Sequence, residues 1–118
     1  MVLAEPRRFA ELWIDAWNSR DVEAVLAHFA EDVVFTSPTA ERFAPGNSGT
    51  VHGKDELRAY WNRALDGNPD LRFELIGVYV GVDTLVVNYR NQRNDLINEV
   101  LTFRDGRIVV GHATHART

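Results

Sequence analysis

The chain has 118 residues, 45% of them hydrophobic and 25% charged, with no cysteine and a net charge of −4. This size and balance fit a single domain, 1–118, that buries a core without metal or disulfide staples. Thiol chemistry is excluded, and mild acidity without a Lys/Arg-rich run argues against a nucleic-acid partner. The opening "MVLAEPRRFAELW" is unlike a signal peptide because acids enter it early. No segment approaches the ~20 apolar residues of a membrane span, so the expectation is a soluble cytoplasmic protein with no membrane partner.

Residues Glu5 to Asn18 place Phe9, Leu12, Trp13, Ala16 and Trp17 at helical spacing, with Pro6 in the first turn. "NSRD" breaks this helix and Asp21 caps a second, short one whose buried stripe is Val22, Val25, Leu26 and Phe29. "EDVVFTS" then reads as a strand with Val33, Phe35 and Ser37 on one side. Pro38 to Thr50, rich in Pro, Gly, Ser and Thr, reads as a long loop, either a lid or a surface excursion. "HGKDELRAYWNRAL" is a third helix with Leu57, Tyr60, Trp61 and Ala64 on one face. Four strands follow: "LRFELIGVYVGV", "TLVVNYRNQ", "LINEVLTF" and "RIVVGHATH". Three N-terminal helices followed by a strongly curved antiparallel sheet make an α+β domain.

The stretch "NYRNQRNDLINEVLTF" carries unusual chemistry. A two-residue turn at Asn94-Asp95 would set Arg90 opposite Glu99 and Asn88 opposite Leu101. Asn88, Arg90 and Glu99 would then share one face with Val86, Ile97, Leu101 and Phe103. An adjacent guanidinium would hold Glu99 ionised, as an acceptor rather than a neutral acid. The structural alternative is a buried ion pair that only fixes register. A two-residue turn at Asp105-Gly106 brings His112 opposite Glu99; a three-residue loop with a glycine bulge brings His115 to that face with Ala113. His112 is taken as the acid–base partner, with His115 left open.

The order of elements, with "AWNSRDVEAVLAHFAEDVVF" and "VHGKDELRAYW", resembles the nuclear transport factor 2-like fold, and within it the SnoaL-like and ketosteroid-isomerase-like proteins. The resemblance spans nearly the whole chain. It implies a cone in which helices and the concave face of the sheet enclose a pocket, and it implies a homodimer. It also makes the face bearing Glu99 the pocket face, since in the isomerases the equivalent strand residue is an acid pointing inward. The opposite face, with Leu85, Val87, Tyr89 and Val100, would then lie outside and offer a dimer surface. Ser37 stands where the isomerase base is an aspartate before proline, and Trp13 stands where the isomerases have a tyrosine donor. These departures argue against steroid isomerisation by the family mechanism.

The expected site therefore comprises Glu99 as base or orienter, Arg90 as anion stabiliser and His112 as partner. Trp13, Trp17, Phe35, Ser37, Tyr60, Asn88, Leu101 and His115 would line a pocket for a small hydrophobic, oxygenated molecule. Neither a metal cluster nor a phosphate-binding glycine loop occurs in the sequence, so no cofactor and no metal are implied. Isomerase, cyclase or dehydratase chemistry competes with a non-catalytic ligand-binding or dimerisation module of the same fold.

Overall fold

The computed structural model describes residues 5–43 and 46–117. Helix α1 (Pro6–Asn18) buries Phe9, Ala10, Trp13, Ile14 and Trp17, an i, i+4 stripe turned onto the sheet. The Asn18 side chain fixes its end. Its Nδ2 donates to the Phe73 carbonyl at 2.9 Å and its Oδ1 accepts from the Phe73 N–H at 2.8 Å. Helix α2 (Val22–Leu26) starts at Asp21, whose carboxylate accepts from Ala24 N at 3.1 Å. Strand β1 (Phe29–Thr36), helix α3 (Ala40–Phe43), strand β2 (Thr50–His52) and helix α4 (Gly53–Asp66) follow. Strands β3 (Glu74–Val80), β4 (Thr84–Arg90), β5 (Leu96–Arg104) and β6 (Arg107–His115) complete the chain.

The six strands form one curved sheet in the order β2-β1-β6-β5-β4-β3. Every neighbouring pair is antiparallel except β1 and β6, which run parallel. The ladders shift register within β1, beside Ile76 in β3 and beside Val109 in β6; such irregularities bend a sheet and give it a concave side. α4 packs on β1 and α1 on β3, so the helices close over that side. No helix among the described residues is long and apolar enough to cross a membrane.

Among the described residues four helices stand where three were expected, because the segment read as a loop from Pro38 contains α3. The sequence stretch "AERF" is too short to show a helical period. A short strand, β2, pairs with β1 and was also absent from the expectation.

The largest correction concerns the β4–β5 hairpin. Arg90 pairs with Leu96, so the connection is Asn91 to Asp95 rather than a two-residue turn. Asn91 organises it: its Oδ1 accepts from Arg93 N and Asp95 N, both at 3.0 Å, and its own N–H donates to the Asp95 carbonyl. An Asn side chain that mimics a backbone turn in this way stabilises a longer loop. The odd count reverses the parity of β4. Val87, not Arg90, lies opposite Glu99. Leu85, Val87 and Tyr89, expected outside, are buried on the concave face; Asn88 and Arg90, expected inside, face out. Arg90 bonds the Asn94 carbonyl at 3.1 Å and Asn88 the Ile97 carbonyl at 3.2 Å.

Candidate functional site

The concave face of β5 presents Ile97, Glu99, Leu101 and Phe103, all buried. Glu99 is only 4% exposed yet borders a cavity of about 210 Å³ between sheet and helices. Its lower wall is aromatic: Trp13 and Trp17 from α1, Trp61 from α4, Phe35 from β1, and Phe73 ahead of β3. Ser37, Thr39, Tyr60 and Tyr89 add a polar floor beside Glu99, with Ala113 next to it, while the exposed Arg42, Arg93 and Asp95 stand at the rim with His115. The volume falls below the roughly 300–1,000 Å³ of pockets for drug-sized ligands.

Among the described residues no arginine pairs with Glu99. Its Oε2 accepts from the Tyr89 hydroxyl at 3.0 Å, the one hydrogen bond its carboxyl makes within the described residues. Burial raises the carboxyl to a pKa of about 7, against a smaller lowering by the Tyr89 bond. The expectation of a permanently ionised acceptor is thereby overturned, because the compensating cation sits on the other side of the sheet. Burial likewise holds the Tyr89 phenol well above its ordinary range, with the Glu99 charge adding to it. Tyr89 therefore remains a donor at every physiological pH.

The histidines resolve through the β5–β6 hairpin. Arg104 pairs with Arg107 across a two-residue Asp105-Gly106 turn, with φ of 52° and 78°. Both residues are left-handed, as the tight turn requires. The bulge at Val109 then shifts parity, so Ala113 faces Glu99 and His115 lies on the cavity side, opposite Ile97. His112 points the other way and its Nδ1 is 2.6 Å from Thr36 Oγ1 on the neighbouring strand. Its place beside Glu99 is therefore corrected: the chain reaches the alternative outcome by a bulge within the strand rather than in the loop. Burial, then the charge of Arg117, holds the His115 imidazolium form down, against Asp95.

Of the other expected lining residues, Trp13, Trp17, Phe35, Ser37 and Tyr60 border the cavity. Leu101 shares the face of Glu99 but packs in the core, with its Cδ2 close to Gly111. Thr39, Phe73 and Tyr89 border the cavity without having been expected there. For Tyr89 the available signal was the loop length, which a turn dipeptide masked; Thr39 sits in a segment without periodicity.

The sequence matches the SnoaL-like domain over residues 10–111. The chain belongs to the SnoaL-like family. A SnoaL-like protein of unknown function from Burkholderia thailandensis is 38% identical, with a TM-score of 0.89 and 99% of each chain covered. A candidate polyketide cyclase from Sinorhizobium meliloti has a TM-score of 0.74 at 19% identity, covering 91% of this chain and 94% of its own. TerC, crystallised with polyporic acid, has a TM-score of 0.75 at 18% identity, covering 94% and 92%. The last two share the fold alone. No curated protein matches the sequence. Within the SnoaL-like fold, this chain puts an isolated carboxyl at the base of an aromatic cavity, with phenol and hydroxyl groups in place of a second charge.

Proposed function

We propose that this SnoaL-like protein catalyses proton transfer on a small hydrophobic, oxygenated molecule, as an isomerase, cyclase or dehydratase does. The observation that carries this reading is Glu99, a buried carboxyl with a pKa of about 7 that borders the cavity. An acid–base group works best when its pKa lies near the working pH, because both forms are then populated. The ionised Glu99 takes a proton from a carbon next to a carbonyl; the C–H pair moves into a new C=C bond and the carbonyl oxygen becomes an enolate. The protonated Glu99 returns the proton to the same or another carbon, or to a departing hydroxyl. Tyr89 holds the carboxyl in place throughout. By analogy of fold alone, one structural neighbour is a candidate polyketide cyclase and another a candidate hydroxylase.

The test uses 1-indanone in D₂O, with exchange of its α-protons followed by NMR. The protein should accelerate exchange, with a rate that rises with pH and levels above about 7. Glu99→Gln should reduce it by roughly 10²-fold or more, the usual range for a lost general base. Indanone that binds but exchanges no faster than in buffer would identify a binding module instead.

A homodimer belongs to the same reading. The convex face carries Tyr79, 62% exposed, with the half-buried Val86 and Val100 beside it, an apolar strip suited to a second copy. Sedimentation at micromolar concentration should give twice the 13.4 kDa chain mass; a monomer alone would contradict it.

A further inference from the structure

Two guanidinium groups stand at the mouth of the cavity with most of their donors unspent. Arg42 and Arg93 both border it, and among the described residues neither forms an ion pair with a carboxylate. Other arginines at this end of the molecule are engaged. Arg20 donates to the Leu65 and Asn68 carbonyls, and Arg63 to the Phe43 carbonyl. Arg93 gives a side-chain bond only to Asn68 Oδ1, at 3.4 Å, among the described residues. Arg42 sets its guanidinium carbon 5.0 Å from the centre of the Phe43 ring, a contact over the ring face that leaves the N–H edge free.

The chain positions both side chains. Asn68, the partner of Arg93, is itself fixed by its Nδ2, which donates to the Ala64 carbonyl at 2.8 Å. Asn91 Oδ1 orders the loop by accepting from the Arg93 backbone N–H. Arg42 lies in α3, whose start is pinned where Thr39 Oγ1 meets Ser37 Oγ at 3.0 Å and the Tyr60 hydroxyl at 2.7 Å. Side chains carried on ordered backbone lose less freedom when they take a ligand.

Charge and position narrow what that ligand is. Among the described residues that border the cavity, Asp95 is the one carboxylate besides Glu99. Two guanidinium charges against that of Asp95 leave one positive charge at the rim. This suits a monoanion, whereas a phosphate dianion would place an uncompensated charge near Asp95. Glu99, at the base, is shifted by burial and by Tyr89, with neither arginine acting on it. The rim cations and the buried acid therefore address different ends of a bound molecule.

We propose that the cavity takes a small monocarboxylic acid, whose apolar ring lies between the aromatic walls and whose carboxylate is bound at the mouth by Arg42 and Arg93. The planar fork of a guanidinium matches the two oxygens of a carboxylate. This rests on the reading of the cavity as a small-molecule site and specifies the charge that molecule carries. Arg42 and Arg93 are thereby specificity-determining residues.

The experiment compares indane-2-carboxylate with its neutral isostere indane-2-carboxamide, by calorimetry at pH 6. At that pH Glu99 is mostly protonated, so the base of the cavity does not repel the anion. The protein should bind the carboxylate roughly tenfold more tightly than the amide, near the low end for hydrogen bonds to a charged group because the rim is open to solvent. Arg42→Gln and Arg93→Gln together should abolish that preference and leave amide binding unchanged, which also shows that the cavity has kept its shape. Either change alone should remove part of it. Arg104→Gln removes one charge at the far end of β5, where Arg104 pairs with Asp32, and should leave the preference intact. Equal binding of the two probes by the wild type, a preference that survives the double change, or an equal loss in Arg104→Gln would overturn the proposal while leaving the small-molecule site intact. If neither probe binds, the cavity reading falls, and this inference with it.

Discussion

Glu99→Gln should make the protein more stable than its parent by about 3 kcal/mol at pH 8.5 and by less than about 1 kcal/mol at pH 5. The sign follows from the direction of the shift. Glu99 titrates at about 7 in the folded chain, against an ordinary value of 4.5. Between those values the folded state holds a proton that the unfolded state has released, so stability falls as pH rises and levels off above about 7. A shift of this size corresponds to about 3 kcal/mol at ~1.4 kcal/mol per unit. Glutamine has the shape of the protonated acid, still accepts from Tyr89 and never ionises, so its stability lacks this slope. His28 and His115 titrate in both proteins, with their pKa values lowered chiefly by burial, and their contributions cancel in the difference. Urea unfolding of both proteins from pH 5 to 8.5 measures it. A constant difference across that range would mean that Glu99 is ionised throughout.

Trp61→Ala should cost about 3–5 kcal/mol, the range for deleting a large buried aromatic side chain. Trp61 is the hub of the aromatic wall. Trp17, Phe29 and Phe35 meet it edge to face, at centroid distances of 5.0, 5.2 and 5.6 Å. It joins α4 to both α1 and β1, so its loss loosens three elements at once. Domains of this size have roughly 5–15 kcal/mol in total, and the variant would sit close to unfolding at room temperature. The deleted ring would also enlarge the cavity, so indane should recover part of the loss. Denaturant midpoints with and without indane test both effects; a loss below about 1 kcal/mol would show that the aromatic cluster is not the core of the fold.

In β5, Ile97, Glu99, Leu101 and Phe103 alternate with exposed or half-buried Asn98, Val100, Thr102 and Arg104; the alternation was legible, and the family resemblance chose which parity faces inward. In β4 the run Leu85-Val86-Val87 is apolar at both parities, and the choice of face passed to the length of the next loop. That length is set by Asn91 side-chain bonds to Arg93 and Asp95, which no dipeptide preference encodes. One miscounted loop moved Arg90 across the sheet and reversed the expected charge state of Glu99. The bulge at Val109 was equally silent, because "RIVV" looks the same with or without an extra residue. The helix α1 stripe and the start of α4 were legible, since their spacing repeats over several turns. The family resemblance also placed Ser37 and Tyr60 at the cavity, whereas their link through Thr39 depends on α3 folding the chain back over the floor.

The charge state of Glu99 is the point on which the account turns, and it can be read without knowing the substrate. The side-chain carboxyl carbon of Glu99, followed by ¹³C NMR through a pH titration of the wild-type protein, should show a midpoint of about 7. Tyr89→Phe removes the bond that favours the ionised form and should move the midpoint higher. A midpoint near 4.5, the ordinary value for a glutamate, would contradict the account: Glu99 would then be a plain carboxylate at neutral pH, with no proton to return.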